Sequence, residues 1–372
     1  MIENKHMPST DILWQPITAG ALTLRNRVMQ APMGRLRADT DGTPTPRMVR
    51  YFRDRASVGL IVTDGTSPSQ AGRVQFTQPG LYDDAHIPAW RDITDAVHDA
   101  GGTIVVQLMH AGWNTHSKVT GLPVEAPSAV AHEGHSHDAE GNHLPYETPE
   151  PATSEQLDKA RDEFVAAARR AIAAGFDGVE LHAANGYFLH TFLGKNSNVR
   201  DDEYGGTPAK RAAYPISVAQ AVAAEIGADR LGIRICPGVS IQGVDESDQE
   251  HTLATYAVLV DALSDTGLAY ISLEQPDLAG PCAQLVRDRF AGTIFGNTTI
   301  LEKRTSSREE AVAMVENGWA DGPAVARPLL ANPDLIERWK TGAAENTPDD
   351  STFYTGGDTG YNDYPTLSGL DA

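Results

Sequence analysis

Short runs of apolar, β-prone residues alternate with longer amphipathic stretches along most of the chain. The apolar runs fall at 28–33, 60–66, 103–109, 178–182, 231–236, 269–273, 293–296 and 322–326. The helical patterns fall at 46–58, 87–100, 154–174, 208–226, 249–266, 281–290, 306–317 and 332–340. Near-continuous apolar strands joined by helices predict a parallel sheet covered on both faces. A strand followed by a helix, eight times over, fits a closed (β/α)8 TIM barrel better than a doubly wound sheet. Cap residues agree: Ser154 stands at the start of the third helix and Gly175 just past its end, and Gly101-Gly102 close the second.

Two stretches break the alternation. Residues 110–153 are rich in Gly, Pro and His, and connections of that length in a compact domain are usually lids or binding loops. This segment is expected to form a small hairpin over the barrel mouth. The tail 341–372 carries Phe353, Tyr354, Tyr361 and Tyr364, too aromatic for a disordered end, and is expected to pack back on the barrel. The whole chain, 1–372, reads as a single domain with its barrel over about 15–340.

Charge narrows the partners. The net charge of −20 argues against nucleic acid. The only dense basic run (Arg47, Arg50, Arg53, Arg55) reads as a solvated helix face. No apolar run is long enough for a membrane span, and Met1 to Gln15 lacks the apolar core of a signal peptide. Two cysteines, Cys236 and Cys282, make neither a CxxC motif nor a disulfide framework, so a cytoplasmic protein is the simplest reading, as monomer or homodimer.

In a TIM barrel the site lies at the carboxyl ends of the strands. There this chain places Gln107 and His110, Glu180 and His182, Arg234, Asn297, and Arg327 after Ala326. Buried arginine is costly unless it meets an anion or an electron-rich partner. Gly296, Asn297 and Arg327, after strands seven and eight, read as a phosphate site. His182 and Asn185, three residues apart, offer two adjacent donors to one carbonyl or oxyanion, and Tyr187 adds an O–H able to give a proton.

The segment HAANGYFLHTFLGKNSNVRDDEYGG (182–206) resembles the signature of the old yellow enzyme family of FMN-dependent NAD(P)H:flavin oxidoreductases. The resemblance continues in APMGRLRAD, VVQLMHAG, GIRICP, ARPLLANPDL and FYTGGDTGYNDYP, in order and spacing. It implies a noncovalent FMN at the barrel mouth, NAD(P)H as electron donor and a small electron-poor alkene as substrate. Carried over residue by residue, Pro32 and Met33 line the flavin ring, Gln107 bonds its pyrimidine edge, and Arg234 lies near N1 and O2. Gly296, Asn297 and Arg327 match the phosphate site. His182 and Asn185 match the pair that grips the substrate's activating oxygen, Tyr187 matches the proton donor, and Tyr354 falls on the substrate side.

Departures from the family pattern concern substrate and donor. Gly34 stands where many relatives have Thr or Cys bonding the flavin near O4; Gly65 and Ala326 are also small-residue variants beside the flavin. Met109 replaces a common aromatic and reshapes the pocket. A deazaflavin donor, a desaturase or isomerase reaction, a flavin-binding protein without turnover, and a metal-dependent barrel hydrolase are the alternatives. The last rests on His132, His135, His137 and His143, which read as a solvated loop with no metal, because barrel metal sites usually use strand-end ligands.

Overall fold

A computed structural model describes residues 11–299 and 306–370. Among these, eight parallel strands close into a barrel: β1 Met29–Gln30, β2 Leu60–Val62, β3 Ile104–Leu108, β4 Gly178–Ala183, β5 Leu231–Ile235, β6 Tyr270–Glu274, β7 Thr293–Asn297 and β8 Gly322–Val325, with β8 pairing back to β1. The helices outside are α1 Pro46–Arg53, α2 Ile87–Asp99, α3 Ser154–Ala173, α4 Pro208–Ile226, α5 Gln249–Thr266, α6 Pro281–Arg289, α7 Arg308–Glu316 and α8 Leu335–Thr341. This is the (β/α)8 barrel that the alternation predicts.

Outward strand residues such as Ile61, Val106, Leu181, Ile233 and Ile271 pack with the apolar faces of the helices in one core. A second core fills the barrel's lower interior. It joins Met29, Leu60, Val62, Val105, Tyr270 and Phe295 to Leu22 and Leu24 of a hairpin (Ile17–Ala19 with Leu22–Leu24). That hairpin is tied by Ala21 N–H to the Asp229 carbonyl just before β5, so it plugs the amino-terminal end and leaves the carboxyl end for the site.

Several boundaries differ from the sequence reading. β1 and β2 are shorter than the runs 28–33 and 60–66, because the backbone beyond them turns into loops: Arg35 N–H donates to the Asp64 carboxylate at 2.8 Å. α1 ends at Arg53 rather than at 58. The α3 cap is Thr153, not Ser154. Its hydroxyl accepts from Gln156 N–H at 3.2 Å while the Gln156 side chain accepts from Thr153 N–H at 2.7 Å, a capping box. Gly175 lies beyond that helix at φ +92°, as expected. Arg327 is not a strand end but opens a five-residue helix, Arg327–Ala331.

The basic run also divides. Arg50 and Arg53 are solvent-facing, but Arg55 is fully buried. Its guanidinium donates to the Tyr51, Leu329 and Leu330 carbonyls at 2.7–2.9 Å and lies 3.7 Å over the Tyr51 ring, so it joins α1 to the segment after β8. The tail does return. Phe353 and Tyr361 are buried, Tyr361 stacks on Tyr51 at 4.2 Å, and the fully buried Arg35 donates to the Phe353 and Gly360 carbonyls. Segment 110–153 contains the expected hairpin, His135–His137 paired with His143–Pro145.

Candidate active site

At the carboxyl end of the barrel the strands and their loops surround a cavity of about 770 Å3. One wall is nearly bare backbone: Pro32, Gly34 and Gly65, from the loops after β1 and β2. A Cβ on Gly34 would meet nothing within 4 Å, and its backbone is not left-handed. A Cβ on Gly65 would lie 2.7 Å from the Met109 sulfur.

The facing wall is a row of polar side chains set by the strand register, which puts Glu180 opposite Gln107 and Arg234 opposite His182. Gln107 Nε2 donates to Glu180 Oε1 at 2.8 Å. Arg234 pairs with Glu274 and donates to Ser272 Oγ at 3.0 Å. Burial pushes the Glu180 carboxyl up to about 7, although Arg234 and Gln107 pull the other way. Burial, aided by the Arg234 charge, holds the His182 imidazole well below its ordinary range. His182 is therefore neutral, with one N–H to donate.

After β4 the chain bends sharply. Asn185 is left-handed at φ +57°, a conformation asparagine tolerates, and Gly186 follows at φ +73°. Trp113 Nε1 and Asn114 Nδ2 both donate to the Gly186 carbonyl, at 2.9 and 2.7 Å. The Gly186 N–H donates to His190 Nδ1 at 2.9 Å, which leaves His190 Nε2 to donate to Glu246 at 3.1 Å. So fastened, the bend turns Asn185 and Tyr187 into the cavity beside His182, whose ring is 5.2 Å from that of Tyr187. Asn185 Oδ1 is buried without a partner. Burial pushes the Tyr187 phenol up to about 12, with a bond to Gln242 acting against it.

Met109, Tyr354 and the segment 74–79 complete the rim, with His135, His137 and Tyr146 from the long loop. Tyr354 is 63% exposed. The remaining expected residues lie off this cavity. Met33 packs against the outer core. Gly296, Asn297, Ala326 and Arg327 cluster at the ends of β7 and β8. The Asn297 side chain is spent internally, donating to the Ala324 carbonyl at 2.9 Å and accepting from Thr299 N–H at 3.0 Å. A Cβ on Gly296 would press on Leu278 and Met314, so this glycine is explained by packing.

Sequence reasoning missed Glu274, Gln242, Tyr146 and the 74–79 wall. Glu274 stood one residue past the apolar run that marked β6. The others sit in loops without periodicity, where the sequence carried no signal for them.

A barrel mouth that faces a bare backbone wall with a row of fixed donors is a small-molecule or cofactor site. The profile of the NADH:flavin oxidoreductase / NADH oxidase family matches residues 12–346. The chain is 39% identical over 368 residues to a probable flavin mononucleotide-dependent alkene reductase of Leishmania infantum, covering 96% of this chain and 98% of the relative. Among solved structures it resembles the old yellow enzyme homologue of Zymomonas mobilis (TM-score 0.90, 36% identity, 95% of this chain and 99% of that one). It also resembles morphinone reductase in complex with tetrahydroNAD (TM-score 0.88, 36% identity, 95% and 97% covered). The chain belongs to the NADH:flavin oxidoreductase / NADH oxidase family, in its old yellow enzyme branch, and is an FMN-dependent oxidoreductase.

The residues present fit that cofactor. The open face at Gly34 leaves room for a flat ring against the backbone. Gln107 and Arg234 supply donors on the opposite side, and the unpartnered Asn185 Oδ1 marks a carboxamide not committed to the protein.

Proposed function

We propose that this enzyme reduces activated carbon–carbon double bonds, in α,β-unsaturated carbonyl or nitro compounds, with NAD(P)H as donor. The observation that carries the reading is the convergence of His182, Asn185 and Tyr187 on the cavity that Gly34, Gln107 and Arg234 also line. The names of the relatives support it: one is a probable alkene reductase, and another was solved with a nicotinamide analogue. FMN, when bound, would supply the hydride-transfer chemistry that links the nicotinamide to the alkene β-carbon.

Pro32, Gly34, Gly65 and Gln107 would hold the ring, with the Met33 backbone beside them, its side chain packing on the outer core, and Arg234 supplying positive charge. The backbone of Gly296 and Asn297, with Ala326 and Arg327, would hold the phosphate. The neutral His182 and the Asn185 carboxamide donate to the substrate's activating oxygen. Those bonds strengthen as that oxygen gains charge, which is binding spent on the transition state rather than the ground state. Tyr187 keeps its proton at any working pH, because its phenol is raised to about 12. It gives that proton to the α-carbon as the β-carbon receives hydride, which balances the reduction. Met109 and Tyr354 shape the space for the rest of the substrate. NADPH or NADH as donor, a cytoplasmic location and a monomeric or homodimeric state belong to the same reading. The two cysteines are free thiols, as a reducing compartment would leave them.

Tyr187→Phe tests the assignment. Rapid-mixing traces of the separate half-reactions should show flavin reduction by NAD(P)H nearly intact. Oxidation by an enone should be slower by roughly 10²–10⁴, the usual contribution of one positioned general acid. Equal slowing of both halves, or of neither, would remove Tyr187 from the role.

A further inference from the structure

The long loop after β3 holds a feature that the flavin chemistry leaves unused. The sequence offered four histidines there and read them as solvated. The structure separates one and gathers three. His132 is fixed elsewhere: its ring lies between Trp113 and Tyr146, at 4.2 and 4.6 Å, and Nε2 bonds Asn114 at 2.9 Å. His135, His137 and His143 stand together on one face of the hairpin. His135 and His137 are two residues apart on one strand, hence on the same side, and His143 is the cross-strand partner of His137. The His135 and His143 rings stack at 3.8 Å, and the His137 ring stands edge-on to both at 5.1 Å. One ring nitrogen from each lies within 4.8 Å of the other two.

The frame under them is built. Asp138 N–H donates to the Asn142 carbonyl at 3.0 Å and the Asp138 carboxylate accepts from Asn142 N–H at 2.7 Å, closing the turn with Gly141 at φ +86°. The Asp138 carboxylate is thereby occupied within the turn. The Gln75 carboxamide lies beside His137, its Nε2 3.3 Å from the ring's Nδ1, and helps to orient this ring. Three imidazoles on adjacent antiparallel strands suit a borderline cation of the zinc, nickel or copper(II) kind and leave a fourth position open.

We propose that His135, His137 and His143 form a divalent transition-metal site on the hairpin at the rim of the substrate cavity. His135 and His137 both line that cavity, so the ion sits where substrate enters. Stacked rings must swing toward a common centre, which the exposed His135 and His143 can do at the cost of a rotamer change. The site stands apart from the ene-reductase reading, since it is measured whether or not the enzyme reduces an alkene.

The test is calorimetric titration of zinc chloride into the FMN-loaded full chain without chelators, with flavin absorbance as a check on folding. One ion per chain should bind with micromolar or tighter affinity. His143→Ala and His135→Ala should each weaken binding at least about tenfold, while His98→Ala, on a helix surface beside Asp177, should bind like the parent. Absence of saturable one-to-one binding in the parent, or equal affinity in His143→Ala, would overturn the proposal.

Discussion

The two walls of the barrel mouth are built on opposite plans. After β1 and β2 the chain presents Pro32, Gly34 and Gly65, almost without side chains, and Gly34 faces open space. Across β3 to β5 it presents Gln107, His182 and Arg234, with Gln107 fixed by the buried Glu180 and Arg234 by Ser272 and the buried Glu274. A flat ring lies best against bare backbone, whereas charge that appears during reaction is best met by donors oriented beforehand. The donor wall is costly to build. Glu180 and Glu274 are buried beside one Arg234, and removing one partner from such a group typically costs about 3–5 kcal/mol. The backbone wall carries no such debt and is the easier one to alter.

The largest effect of altering one wall alone should come from the donors. His182→Ala with Asn185→Ala removes two hydrogen bonds to a charged oxygen, each worth roughly 1.5–3 kcal/mol. Phenolate binding, read from its long-wavelength charge-transfer band with FMN, should weaken by more than about 100-fold while FMN stays bound. An unchanged titration would place the oxygen-binding site elsewhere.

A middle-sized effect should come from the bare wall. Gly34→Thr puts a hydroxyl beside the ring, at a position whose Cβ meets no protein atom within 4 Å and whose backbone is ordinary. Reduced flavin is more negative than oxidised, so a new donor stabilises it. At about 1.5–3 kcal/mol per bond and about 30 mV per 1.4 kcal/mol for two electrons, the potential should rise by roughly 30–60 mV. Titration against a reference dye checks it; an unchanged or lowered potential refutes the tuning.

The smallest effect concerns pH. Glu180 titrates at about 7 in the fold against an ordinary 4.5, so the folded state holds its proton more tightly than the unfolded one. Stability then falls as pH rises from about 4.5 through about 7. Asp64, raised by burial from 3.8 to about 6, acts in the same direction at lower pH. Glu180→Gln should flatten the upper part of this decline in denaturation midpoints measured across pH. An identical slope in the variant would mean Glu180 is ionised in the fold throughout.

The two walls were also unequally legible. Strand and helix alternation located all eight barrel strands, and polar residues at strand ends pointed to Gln107, His182 and Arg234, because side chains two apart share a face. The bend through Asn185 and Gly186 was not read from the sequence, which was taken there only for its donors, although both residue types tolerate the left-handed backbone found. The lengths of β1 and β2 did not show in the sequence either, since apolar runs continue past the point where Asp64 leaves the ladder to accept from Arg35. Nor did the burial of Arg55, two of whose three carbonyl partners lie about 275 residues away in sequence. The 74–79 wall is held by contacts such as Gln78 Nε2 to the Gly65 carbonyl at 2.8 Å, which no periodicity encodes.

The central claim is that the bare wall and the donor wall together make an FMN-dependent ene-reductase. Its most direct test is an anaerobic double titration of the FMN-loaded protein. NADPH or NADH should bleach the flavin absorbance, and an α,β-unsaturated ketone added next should restore it with one equivalent of saturated ketone formed per flavin. Flavin that bleaches but regains its colour only on admission of oxygen, with the alkene recovered intact, would contradict the account.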